Sequence, residues 1–85
     1  MSSKYTKSKW FLIRNELLGK NPEENYIHYY QDQDGEYASL CLDGGNYTDI
    51  GMNTFKALMK RNLLRQIAHH STIQPDTESF RYAIK

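Results

Sequence analysis

Cysteine occurs once, at Cys41, so no disulfide can close within the chain and a thiolate-based zinc site is not expected. Long apolar runs are missing as well. The longest is Trp10 to Ile13, far below the ~20 residues of a membrane-spanning helix. No apolar segment of signal-peptide length follows the first lysines, so a soluble, cytoplasmic protein is expected. Low-complexity stretches and internal repeats are absent. So are a Gly-rich phosphate loop, an H-E-x-x-H pair and a G-x-S-x-G elbow, which removes the common enzymatic signatures. Residues 21–55 contain no Lys or Arg.

What is present is an 85-residue chain of 10.0 kDa with 39% hydrophobic and 25% charged residues, enough for one modest core in one domain. Tyrosine is prominent, with seven. The net charge of +1 conceals segregation. Residues 1–20 carry Lys4, Lys7, Lys9, Arg14 and Lys20 against Glu16. The middle carries Glu23, Glu24, Asp32, Asp34, Glu36, Asp43 and Asp49. Residues 56–85 carry Lys56, Lys60, Arg61, Arg65, Arg81 and Lys85 against Asp76 and Glu78. If the two basic ends fold together, a positive face can meet phosphates while an acidic face stays clear of them. The same pattern also arises when oppositely charged segments merely attract one another in a small domain.

Trp10, Ile13 and Leu17, with Phe11 and Leu18, recur at helical spacing, predicting a helix over residues 6–18 that stops at Gly19 and Pro22. The period then becomes two. Ile27 and Tyr29 alternate with Tyr26, His28 and Tyr30, and Ala38, Leu40 and Leu42 alternate with Tyr37, Ser39 and Cys41. Asp34-Gly35 between the runs signals a hairpin. Asp43-Gly44-Gly45-Asn46 breaks the second strand. A second amphipathic helix follows, from about Asp49 or Asn53 to Arg65, with Met52, Phe55, Leu58, Met59 and Leu63 on one side. Another hairpin then starts near Ile67, with a long polar loop from Ser71 to Ser79 before Phe80, Tyr82 and Ile84. The expected fold class is α+β, in the order helix, hairpin, helix, hairpin. The expected core is Trp10, Ile13, Leu17, Ile27, Leu40, Leu42, Phe55, Leu58, Met59, Leu63, Phe80, Tyr82 and Ile84.

The run Asn53-Thr54-Phe55-Lys56-Ala57-Leu58-Met59-Lys60-Arg61-Asn62-Leu63-Leu64 resembles the recognition-helix segment of winged-helix domains, and Phe80-Arg81-Tyr82 resembles the end of a wing. The order and the Phe55–Leu64 run are also similar to the YjhX-type small bacterial proteins. The resemblance implies a winged-helix-like DNA-binding domain, a toxin or regulator, with no catalytic residues to carry over. A hairpin stands here where winged helices carry a helix.

Catalytic and metal constellations are weak. His69 and His70 are neighbours and would point to opposite faces of a strand, so with His28 they fall short of a tetrahedral metal site. Cys41 beside His28 lacks a third, orienting group. No cofactor, no metal and no enzymatic activity are therefore expected. Two functions stay open. In the first, a small regulator binds double-stranded DNA, with Asn53, Lys56, Lys60 and Arg61 on the second helix meeting bases or phosphates. Lys4, Lys7 and Lys9 would hold flanking phosphates. In the second, a protein-interaction module, such as a regulator or inhibitor from a mobile element, uses Tyr26, Tyr30 and Tyr37 as anchors on an outward hairpin face. An exposed aromatic patch of this kind calls for a cover, either a second copy in a two-fold homodimer or a different protein.

Overall fold

Five strands and two short helices account for most of the chain, and the computed structural model describes residues 8–74 and 76–85. In chain order the elements are α1 (Lys9–Leu17), β1 (Tyr26–Asp32), β2 (Gly35–Leu42), β3 (Asn46–Asp49), α2 (Met52–Lys60), β4 (Leu64–Thr72) and β5 (Thr77–Ile84). The strands form one antiparallel sheet in the order β3-β2-β1-β5-β4. The α+β class holds, but the order helix, hairpin, helix, hairpin does not. A three-strand meander stands between the two helices, because β3 continues the first hairpin.

The turn chemistry explains the extra strand. At Asp34-Gly35 the two loop residues are Gln33 and Asp34, neither at positive φ. Asp32 Oδ1 accepts the N–H groups of Asp34 and Gly35 at 2.8 and 3.0 Å, closing the turn from its first position. The Asp-Gly pair that works as a type I′ turn is the next one. Asp43 (φ 54) and Gly44 (φ 77) are both left-handed, and Gly45 N–H reaches Leu42 C=O at 3.2 Å. The chain therefore returns along β2 as β3, although Asn46–Asp49 is fully exposed and only four residues long. Gly51, at φ 80, then lets it leave the sheet edge and enter α2.

The second helix is shorter than its hydrophobic pattern predicts, ending at Lys60 rather than Arg65. Asn62 takes φ 58, Leu63 N–H bonds Leu58 C=O at 3.2 Å, and Asn62 N–H bonds Met59 C=O at 2.9 Å. This is a Schellman stop with asparagine in the place glycine usually holds. Leu64, expected to be helical, instead opens β4 opposite Ile84. The final hairpin has no long loop, since its strands run to Thr72 and resume at Thr77.

Both helices lie on one face of the sheet. Ile13 and Leu17 from α1, Phe55 and Leu58 from α2, and Ile27, Ala38, Leu40, Ile50 and Leu64 form one buried cluster. Trp10, Tyr29, Leu42, Leu63, Tyr82 and Ile84 pack around it. Beyond the aliphatic centre the rings form a chain: Tyr29 stacks on Phe55 at 4.9 Å, Phe55 meets Tyr82 at 5.5 Å, and Phe80 meets Tyr29 at 5.6 Å. Burial, and then the hydrogen bond that its hydroxyl donates to the Glu36 carboxylate, push the Tyr29 phenol up to about 12. Met59 was expected in the core and is 43% exposed, because α2 turns only Phe55 and Leu58 fully inward. Among the described residues no helix is long and apolar enough to cross a membrane.

Leu58 is 0% exposed and Met59 is its exposed neighbour on the same helix. Leu58→Ala should cost about 2–5 kcal/mol in chemical denaturation, whereas Met59→Ala should stay within about 0.5 kcal/mol of the parent. Equal losses at the two positions would mean that α2 is rotated from this orientation.

Candidate functional site

Two surfaces carry the residues singled out from sequence, and the fold puts them on opposite sides. The first is the solvent side of the helix layer. With Phe55 and Leu58 turned to the sheet, helical spacing sends Asn53, Lys56 and Lys60 outward, and all three are exposed. Arg61, just beyond the helix, folds back over Trp10 of α1, its guanidinium carbon 4.3 Å from the ring centroid, and donates Nη1–H to Ala57 C=O at 3.3 Å. This contact ties the two helices together and anchors one cation between them. Lys9 is exposed at the start of α1, while Lys4 and Lys7 lie outside the described residues. Glu16 is the only carboxylate on either helix. Among the described residues neither Lys56 nor Lys60 has a carboxylate partner. Lys85 Nζ donates to Asn62 Oδ1 at 2.6 Å, adding a further cation at the C-terminal end of α2.

The second surface is the other face of the sheet. Pairing register aligns Ser39, His28 and Arg81 across β2, β1 and β5, and Tyr37, Tyr30, Ser79 and His70 across β2, β1, β5 and β4. Tyr30 lies 6.2 Å from Tyr37 and 6.4 Å from His28, both in stacked orientation, and Tyr47 meets His28 edge-on at 6.2 Å. Tyr37 and Tyr47 are 50% and 55% exposed. A bulge at Ile67 changes the phase of β4. It turns His70 to this side and His69 to the helix side, where the His69 ring stacks on Phe80 at 4.2 Å and its Nε2 lies 3.0 Å from Glu78 Oε1.

Tyr26 departs from expectation. It points to the outward face as alternation requires, yet it is only 3% exposed, and Cys41 beside it is 0% exposed. The connection between α1 and β1 folds over this end of the sheet. Asn25 Oδ1 accepts Asp43 N–H at 3.1 Å, Glu24 C=O accepts Gly44 N–H at 2.8 Å, and the Cys41 thiol faces that same carbonyl. The Tyr26 hydroxyl meets that of Tyr47 at 3.0 Å, and Arg81 lies 4.6 Å over the Tyr26 ring. Burial first, then the Tyr47 hydroxyl, drives the Tyr26 phenol well above its ordinary value. Tyr26 is therefore a packing residue rather than a free anchor, and the Cys41 thiol is sealed from reagents. Tyr47 takes the place of Tyr26 in the exposed group. The sequence carried a signal for it, since Tyr47 follows the Asp43-Gly44 turn on a strand of outward parity.

At the far end of the sheet, Asp32, Asp76 and Glu78 gather around the two hairpin turns. Among the described residues no group of three His, Cys, Asp or Glu side chains is placed to hold a metal ion. No protein-family model, no curated protein and no solved structure matches this chain.

His28 is half-buried, and its imidazole is held below the ordinary value of 6.5, first by burial and second by the Arg81 guanidinium. A lowered native pKa means that the unfolded chain takes up this proton first, so stability is lost as pH falls through and below 6.5. In an NMR titration the His28 ring should have a midpoint below 6.5, rising on Arg81→Gln yet staying below it because burial remains. His28→Gln should reduce the acid-side loss of stability.

Proposed function

We propose that this protein is a small, non-enzymatic regulator that binds double-stranded DNA through the solvent side of its helix layer. The observation that carries the reading is charge sorted in space. Asn53, Lys56 and Lys60 share the outward face of α2, Arg61 and Lys9 flank it, and Glu16 is the one acid on either helix. At about 1.5 Å per residue, α2 is about 13 Å long, suited to contacts within a single major-groove turn. Ala57 keeps the face between the lysines low, so the backbone can approach closely. The acidic hairpin turns stand at one end of the sheet, and the open face points away from the helices. Asp49 stands at the start of α2, its carboxylate accepting Gly51 N–H at 2.9 Å, so phosphates are drawn toward the Lys56, Lys60 and Arg61 end of the helix.

The winged-helix resemblance supports this reading through α2 and the Phe80–Tyr82 strand alone. The helix that would precede a recognition helix is replaced by β1, β2 and β3. The contact proposed is accordingly one exposed basic helix lying on a sheet, with Lys56 and Lys60 as phosphate ligands and Asn53 the residue best placed to read a base edge.

Fluorescence anisotropy with labelled duplex, titrated at several salt concentrations, tests the proposal. The log–log salt dependence should have a slope of about −0.9 for each phosphate neutralised, and Lys56→Ala and Lys60→Ala should each remove about one such unit. Asn53→Ala should weaken binding to some sequences more than to others. A slope unchanged in the Lys56/Lys60 double variant would take α2 out of the interface.

A further inference from the structure

We infer that the open face of the sheet is a self-complementary surface on which a second copy of this chain docks face to face, about a two-fold axis lying across the strands. Five strands about 4.8 Å apart give a face roughly 20 Å wide. Aromatic patches of several hundred Å² on small proteins mark interaction surfaces. Half-buried Tyr30 on the central strand, with the exposed rings of Tyr37 on β2 and Tyr47 on the edge strand β3 around His28, supplies rigid contact area at low entropic cost.

Three observations select a second copy, and this orientation of it. First, the face is polar along its length. Arg65 and Arg81 lie toward the end where β4 begins and β5 finishes, with Glu23 of the 21–25 connection beside them. Asp32, Asp34 and Asp76 lie at the hairpin turns of the opposite end, with no cation among the described residues there. Inverting one copy along the strands sets the cations of each against the carboxylates of the other, twice over by symmetry. Second, residues 21–25 raise one end of the face by covering Tyr26 and Cys41. Two copies aligned in the same direction would collide there. Head to tail, each cover sits beyond the turns of its neighbour and the sheets close at the centre. Third, the axis then runs along the row of Tyr37, Tyr30, Ser79 and His70, so that each of the two tyrosine rings faces its own counterpart. A nucleic-acid strand is disfavoured on this face because the same carboxylates would lie along its phosphates.

Sedimentation equilibrium and light scattering test this directly. The expected result is a mass twice the 10.0 kDa chain, with dissociation increasing as salt rises. Tyr30→Glu should yield a monomer with unchanged far-ultraviolet circular dichroism, and Tyr30→Ser, a milder change at the same half-buried site, should raise the dissociation constant by about tenfold or more. Arg81→Glu and Asp76→Arg should each weaken the dimer by about tenfold, and the double exchange should recover most of that loss, because the charges then meet again with signs reversed. Monomeric mass at about 100 μM would overturn the inference, as would a dimer indifferent to Tyr30→Glu or an exchange that recovers nothing. A monomer that binds a single-stranded oligonucleotide through Tyr30 would overturn it in favour of base stacking.

Discussion

Everything in the molecule hangs on the pairing of β1 with β5. It joins an N-terminal meander to a C-terminal hairpin through Ile27 opposite Tyr82 and Tyr29 opposite Phe80. That register sets which rings face the helices and which face outward. Ile27 is fully buried because it has Leu40 on one side, Tyr82 on the other and the helices above. On the reverse side the same register brings Arg81 beside His28 and over Tyr26. A slip of one residue would exchange these two sets completely, so the two chemically different faces depend on a single strand alignment.

Much of this was legible in the sequence, and the failures have local causes. Helical spacing found Ile13 and Leu17, and alternation found Ile27 and Leu40, because a side chain buried on one face leaves a periodic trace. Met59 fitted the helical arc but lies at its margin, on a nine-residue helix that packs only a narrow stripe. The end of α2 at Lys60 is not legible in the sequence because asparagine in a left-handed conformation stops it, and asparagine is a far weaker signal than glycine. The Asp43-Gly44 turn allows a third strand, but β3 is short and exposed, so no burial pattern in the sequence distinguishes that hairpin from a plain break. Tyr26 shows a deeper limit. Alternation gives the face of a side chain correctly, but nothing in β1 or β2 says that a connection from elsewhere will cover it.

The two proposed surfaces make different demands and do not compete for residues. Phosphate contact asks for cations held clear of acids, which the Lys56, Lys60 and Arg61 end of the helix layer supplies. Self-association asks for rings with charges of both signs at the rim, which the sheet supplies. Paired through their sheets at about 10 Å separation, two copies would carry their helices on the outer surfaces, pointing in opposite directions. Such a particle would bring two duplexes together, rather than occupy two adjacent half-sites on one.

The bulge at Ile67 reaches beyond the side chains it re-aims. β4 is the longer of the two edge strands, with nine residues against four in β3. A long, flat edge would offer a regular row of unpaired backbone groups to any passing strand, the template from which open-ended fibrils grow. The extra residue breaks that row near its middle and adds twist, while β3 is too short to seed a ladder. Growth sideways is thereby blocked at both margins.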